Sequence, residues 1–145
     1  MINGVYVREL QKFCNDQGCV LKMLSENDFY FDRFGEIYFS SIMPGVVKGW
    51  NVHTRQDANM VCISGNVQLV LYDRRSDSES FQAIQEVSMG ENHYCLVQIP
   101  PGIAYSWKAH DGKSALIANC ATLPHDPQES IKIALTSNEI PYQWK

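Results

Sequence analysis

From about residue 35 the chain alternates short apolar runs with turn residues. The runs are rich in the β-branched and aromatic side chains that suit a pleated, half-buried surface. Gly35-Glu36-Ile37-Tyr38-Phe39-Ser40-Ser41 reads as a strand, Met43-Pro44-Gly45 breaks it, and Val46 to His53 reads as the next. Met60 to Ser64 and Val67 to Tyr72 flank Gly65-Asn66, a pair that predicts a two-residue hairpin with a primed turn. Further strands are expected over 81–89, 93–99, 104–108 and 114–120, each bounded by Gly, Pro, Asn or Asp. Helical periodicity is weak: Gly4 to Phe13 fits helix or extended chain, and Asp126 to Leu135 fits a short turn of helix. Many short strands at close spacing predict an all-β sandwich or barrel, with the double-sheet jelly roll among the options. Because side chains alternate along a strand, Asn51 and His53 share one face while Trp50 and Val52 share the other. Asn51 and His53 are therefore candidates for a cavity lining.

A length of 145 residues and a hydrophobic fraction of 45% suit one domain, residues 1–145, with one core. The formal net charge is -4 and the Lys and Arg are scattered, so no basic stripe points to nucleic acid. The start lacks a basic segment followed by an apolar run, and no stretch approaches the roughly 18 apolar residues of a membrane span. A cytoplasmic protein without a membrane partner is the expectation. Among the five cysteines no C-x-x-C occurs, and Cys62, Cys95 and Cys120 lie in apolar strand-like runs. With Cys14 and Cys19 they read as small hydrophobes in a reducing compartment rather than as a disulfide frame or zinc site.

Two stretches resemble the cupin pattern, in which a glycine is followed by His-x-His, a carboxylate and a closing glycine. Here Gly45 stands six residues before Asn51, His53 follows, Ala58 holds the carboxylate position, and Gly65 closes the turn. Pro100-Pro101-Gly102-Ile103-Ala104-Tyr105 resembles the second cupin motif, with Tyr105 at the position of its last ligand. The resemblance implies a cupin, a double-stranded β-helix barrel of jelly-roll type. Of the ligand positions only His53 retains a metal-binding side chain, and one His holds no divalent ion firmly, so no metal or other cofactor is expected.

The chain also resembles the dTDP-4-dehydrorhamnose 3,5-epimerase family, in particular its shorter branch. The segments that carry the likeness are Gly4-Val5-Tyr6-Val7-Arg8, Arg33-Phe34-Gly35-Glu36-Ile37-Tyr38, Lys48-Gly49-Trp50-Asn51-Val52-His53, Val70 to Arg75, Ile99 to Gly102 and Asn138 to Trp144. Asn15-Asp16-Gln17-Gly18 and Leu24 to Asp28 add to it. The resemblance implies a nucleotide-linked 4-keto-6-deoxy sugar as ligand and a homodimer as assembly. Inverting a carbon beside a ketone needs a base on one face, an acid on the other, and a group to stabilise the enolate oxygen. The resemblance puts the family's base at Asn51, its tyrosine at Ala118, the Asp that holds the base near Thr122, its lysine at Ala58 and a further pocket His at Tyr105.

An amide has no useful basicity near neutral pH, so Asn51 cannot take a carbon-bound proton, and a non-catalytic sugar- or nucleotide-binding cupin, or one repurposed for another small-molecule isomerisation, stands as the alternative to an epimerase. His53 and Tyr105 are the candidate substitutes for base and acid around Asn51, since an imidazole titrates near neutrality and a phenol donates; the other reading of His53 is a polar cavity residue that contacts ligand and hydrogen-bonds Tyr105 or Asn51. Lys48 takes the family's phosphate-contact position or is a solvated strand-edge lysine, and Gln17 stands in the turn that in the family reaches the partner subunit's ligand. Asn119 is a candidate substrate contact. Tyr38, Trp50, Trp107 and Trp144 are candidates to stack on a base or sugar, although aromatics at strand positions are most often core, the default reading for Trp50. His93, His110 and His125, near turns and without ligand spacing, read as surface or capping residues.

Overall fold

The computed structural model describes residues 1–145 and contains twelve strands and no helix. In chain order these are β1 (Tyr6–Glu9), β2 (Lys12–Asn15), β3 (Gly18–Leu21), β4 (Glu36–Ile42), β5 (Val47–His53), β6 (Ala58–Ser64), β7 (Asn66–Asp73), β8 (Ile84–Gly90), β9 (Cys95–Ile99), β10 (Ile103–Ala109), β11 (Ala115–Ala121) and β12 (Ser130–Ile133). Two antiparallel five-stranded sheets, in the orders β1-β9-β6-β11-β4 and β12-β5-β10-β7-β8, make the jelly roll, and β2-β3 form a separate ribbon. The fold is the cupin double-stranded β-helix that the sequence motifs imply.

The alternation of side chains explains which residues fill the barrel. Ile42 of β4, Met60 and Cys62 of β6, and Ile117 of β11 come from one sheet, and Leu69, Leu71, Ile103 and Trp107 from the other, all in one buried cluster. The opposite face of the second sheet is also covered. Trp50, Val52, Val70, Tyr72 and Ala104 pack there with Ile133 and Ile140, against Tyr142 and Trp144. Trp144 Nε1 donates to Ser106 Oγ at 3.1 Å, and that hydroxyl donates to the Lys48 carbonyl at 2.7 Å. Both faces of β5 and β10 are therefore packed.

Gly65-Asn66 does not close a hairpin. β6 pairs with β9 and β11, whereas β7 pairs with β10 and β8, so the tight turn carries the chain from one sheet to the other. Gly65 has a φ of +72°, and a Cβ there would collide with the Ser114 carbonyl. A turn of the same composition thus serves a corner between sheets, where the partner strands come from elsewhere in the chain. The 126–135 segment forms β12 rather than helix, because its residues 130–133 pair with β5 in register Ser130↔His53 to Ile133↔Trp50. The segment 4–13 is extended, with β1 pairing β9.

Cys62, Cys95 and Cys120 are free and buried, as the sequence predicts. Burial pushes the Cys62 thiol up to about 11 and keeps it protonated. Cys14 and Cys19 depart from the expectation, since they form a disulfide. The reason is register: they sit directly opposite one another in the β2-β3 ribbon, with Cα atoms 4.0 Å apart.

Candidate active site

The β4 edge of one sheet faces the β12–β5 edge of the other, and a cleft of ≈ 350 Å³ opens between them. Glu36, Tyr38, His53, Gln56, His125 and Glu129 are among its walls. Of the β5 residues only His53 lines this cleft, and the row beneath it follows from pairing. Asn51 lies opposite Tyr105, and Lys48 opposite Trp107, with a bulge in β5 between the two pairs. Directly opposed residues share a face, so Lys48 and Asn51 point to the interior with Tyr105 and Trp107, and His53 continues the same row.

His53 is held from both ring nitrogens. Its Nδ1 is 2.9 Å from Glu129 Oε2, and its Nε2 is 2.9 Å from the Tyr105 hydroxyl. Glu129 is buried, and its other oxygen, Oε1, accepts backbone N–H bonds from Thr54, Arg55 and Gln56 at 2.9, 3.1 and 3.1 Å. Burial by itself would raise this carboxyl, but the amide N–H groups and His53 outweigh it and hold Glu129 below its ordinary value. An ionised carboxylate only accepts, so Nδ1 carries the proton and Nε2 presents its lone pair. This is a base geometry: an imidazole whose tautomer and ring plane are set by a buried carboxylate.

The Tyr105 phenol is 4% exposed and does not reach the cleft surface. Burial, together with the neighbouring Tyr38 and Glu129, pushes it upward, so it stays protonated and donates to Nε2. Tyr38 reaches Tyr105 from the opposite sheet and is 37% exposed. Behind it, Asn119 Nδ2 donates to the Tyr38 hydroxyl at 2.8 Å, while Asn119 Oδ1 accepts the Asn59 N–H at 3.0 Å. The backbone contact fixes which end of the Asn119 amide faces the phenol.

The structure brings His53, Tyr105 and Asn51 into one neighbourhood. The Asn51 amide is half-buried, and its one side-chain partner is the Gly49 carbonyl at 3.5 Å. Lys48 is not a solvated edge residue: Nζ donates to Ser40 Oγ at 2.7 Å across the seam and lies 5.1 Å from the centre of the Trp107 ring. Asn119 is buried under Tyr38 rather than lining the cleft, which makes it a support for the site. Gln17 is exposed in the β2-β3 turn, outside the cleft. Ala118, Ala58 and Thr122 contribute no chemistry to the cleft. Ala118 faces outward against Val61 and Leu96, and Ala58 is fully buried in the core. Thr122 accepts the Asp57 N–H, and Glu129 is the carboxylate at His53.

Sequence reasoning overlooks Glu129, Gln56 and the part played by Tyr38. The one signal for Glu129 is an acid just beyond the Asp126-Pro127 turn, and nothing local links it to His53. No group of three or more His, Cys, Asp or Glu side chains converges as metal ligands would. A larger hollow of ≈ 640 Å³ lies on the outer face near Gln68, Lys108 and Trp144. Its polar groups already satisfy one another, Gln68 with His110, Ser88 and Glu86, and Lys108 with the Lys145 carbonyl, and it holds no carboxylate-bound histidine.

Comparison with known proteins agrees with this fold. The sequence profile of the dTDP-4-dehydrorhamnose 3,5-epimerase family matches residues 1–145. The chain is 29% identical over 146 residues to the spore coat polysaccharide biosynthesis protein SpsL of Bacillus subtilis, covering 99% of this chain and 97% of that one. Among solved structures, a dTDP sugar isomerase from Desulfovibrio desulfuricans G20 superposes with a TM-score of 0.96 at 34% identity, covering 99% of this chain and 92% of the other. The fold alone is shared with an epimerase from Legionella pneumophila solved with dTDP-4-keto-L-rhamnose, at TM-score 0.86, 20% identity and coverage of 99% and 79%. With a whole-length profile match and the same barrel, the chain belongs to the dTDP-4-dehydrorhamnose 3,5-epimerase family as a nucleotide-sugar epimerase-like cupin.

Proposed function

We propose that this protein is a metal-independent epimerase of nucleotide-linked 4-keto-6-deoxy sugars, with His53 as the general base in place of the absent histidine at Asn51. The observation that carries the reading is the 2.9 Å contact between His53 Nδ1 and the buried Glu129 carboxylate. It holds Nδ1 and turns Nε2 to the interior side of β5, two residues from the position where the family keeps its base. A positioned acid–base group contributes roughly 10²- to 10⁴-fold to such a proton transfer. In this reading Glu129 sets the base from behind, Tyr105 holds Nε2 until substrate displaces its O–H, Asn51 hydrogen-bonds the sugar, and Lys48 at the far end of the same row meets the diphosphate, for which an ammonium is suited as a point charge.

The names of two relatives, the spore coat protein SpsL and an epimerase of low-salt glycan biosynthesis from Haloferax volcanii, support a role in surface-polysaccharide assembly. No helix is long and apolar enough to cross a membrane, and sugar nucleotides are small soluble metabolites, so a cytoplasmic location is part of the same proposal. The homodimer is supported by apolar side chains left open on β4 and on the ribbon, Ile37 and Phe39 on one and Phe13 and Val20 on the other.

The test is proton NMR of a panel of dTDP- and UDP-4-keto-6-deoxy sugars in deuterated buffer, with the wild-type protein and His53→Ala. Exchange at the carbons beside the ketone that is lost in the variant is the expected result. Line broadening of the sugar signals without any exchange would replace the enzyme with a binding protein of the same fold.

A further inference from the structure

We propose that Tyr38 is the proton donor of this site, a catalytic residue acting from the wall opposite His53, with the buried Tyr105 hydroxyl as the link between the two. The inference deepens the epimerase reading and rests on it.

Inversion at a carbon requires proton removal from one face and delivery to the other. His53 stands on β5 of one sheet and Tyr38 on β4 of the other, and both line the same cleft. A flat enolate lying between those walls has the imidazole on one side and the Tyr38 phenol on the other. Tyr105 cannot fill the donor's place, since it is 4% exposed and outside the cleft lining, whereas Tyr38 is 37% exposed and within it.

The hydrogen bonds run in one direction. Asn119, its amide oriented by the Asn59 N–H, donates to the Tyr38 oxygen, which leaves the Tyr38 proton to be given away. Tyr105 is hydrogen-bonded to His53 Nε2 and neighbours Tyr38, and Glu129, set by three backbone amides, closes the row at Nδ1. Both ends are anchored on backbone groups, so the phenol and the imidazole are held rather than free to wander.

The proton inventory closes over one turnover. As substrate enters, the Tyr105 O–H turns from Nε2 to the neighbouring Tyr38 oxygen; the freed His53 Nε2 takes the proton as the C–H bond breaks, and the electron pair moves onto the ketone oxygen as an enolate. The Tyr38 O–H bond then breaks and its proton bonds to the same carbon from the opposite face, which restores the ketone and leaves a phenolate. The imidazolium returns its proton to the Tyr105 oxygen as the Tyr105 proton passes to the Tyr38 phenolate, and all three groups regain their starting state. No oxidant, metal or second substrate enters.

Tyr38→Phe separates the two half-reactions. With the panel sugar that exchanges fastest with wild type, in deuterated buffer, Y38F is expected to retain deuterium entry beside the ketone within about tenfold of wild type, because His53 still removes and returns a proton on its own face. The inverted product is expected to fall by about a hundredfold or more. Tyr38→His keeps a donor at the position and is expected to regain part of the inversion with a displaced pH optimum. Inversion by Y38F within threefold of wild type would overturn the proposal, as would loss of exchange and inversion together in a protein with an unchanged thermal midpoint. Absence of exchange in the wild type would overturn the epimerase reading itself, and this proposal with it.

Discussion

His53 and Glu129 stand 76 residues apart in the chain, and the imidazole Nδ1 lies 2.9 Å from the carboxylate. Glu129 directly precedes β12, which pairs with β5 so that Ser130 faces His53. The carboxylate is held by the loop that directly follows His53, through the N–H groups of Thr54, Arg55 and Gln56. One short turn therefore fixes both members of the pair.

Glu129→Gln tests what the carboxylate contributes beyond shape. The amide carbonyl can still accept from the turn, but the NH₂ then faces Nδ1 and forces the proton to Nε2, which removes the lone pair from the reactive side. The expected outcome is a loss of about 10²- to 10⁴-fold in kcat with KM changed little. Steady-state kinetics beside a thermal melt checks it; equal kcat in the two proteins would remove Glu129 from the mechanism.

Lys48→Met keeps most of the aliphatic stem against Trp107 and deletes the charge. If the ammonium meets the diphosphate equally in ground and transition states, KM rises about tenfold, equivalent to about 1.4 kcal/mol, with kcat unchanged. A Lys48 whose sole task is to tie β5 to Ser40 would instead lower the melting temperature and leave KM alone.

Stability should fall in acid, and the sign follows from two carboxylates. Glu129 is held below its ordinary value by the contacts described above. Asp73, fully buried, would be raised by that burial, but hydrogen bonds from Arg75, Ser80 and Ser78 outweigh it and hold it far lower. Groups depressed in the folded state contribute stability that is complete above their unfolded values, about 4. It is lost as pH falls through the folded ones. Urea midpoints measured from pH 7 to pH 3 should be flat at first and then decline, and Asp73→Asn should flatten the decline.

Gly65→Ala should destabilise the fold by about 1–3 kcal/mol, since a positive φ and a backbone carbonyl in the way both oppose a side chain there. Trp50→Ala removes a side chain that is 2% exposed and should cost about 3–5 kcal/mol. Denaturant melts measure both. A Gly65→Ala protein as stable as wild type would mean that the sheet-crossing turn relaxes freely.

The parts of the site that could be read in the sequence are those governed by alternation within one strand. Asn51, His53, Trp50 and Val52 fall on the faces that period-two counting assigns them, because β5 keeps regular register with β12 from Trp50 to His53 although it bulges against β10 between Lys48 and Asn51. What could not be read depends on which strands become neighbours. Gly65-Asn66 has hairpin composition, yet the strands on either side pair with distant segments. The family tyrosine counted to Ala118 falls on the outer face, and a shift of one residue reaches the inward Asn119, since a single step along a strand reverses its direction. Glu129 and Tyr38 enter the site through pairings of β12 with β5 and of β4 with β11. No local pattern announces contacts of that range.

The covering of β5 from behind sets the mechanical character of the site. Ile140, Tyr142 and Trp144 press on the back of the strand whose front bears Lys48, Asn51 and His53. Strand and segment then loosen together, so backbone amides of 50–53 should exchange with solvent only when most of the barrel opens. Stiffness supplied by residues that never meet a ligand lets a substrate find the imidazole already aimed, and sequence drift over 140–144 would blur that aim without altering a single reacting group.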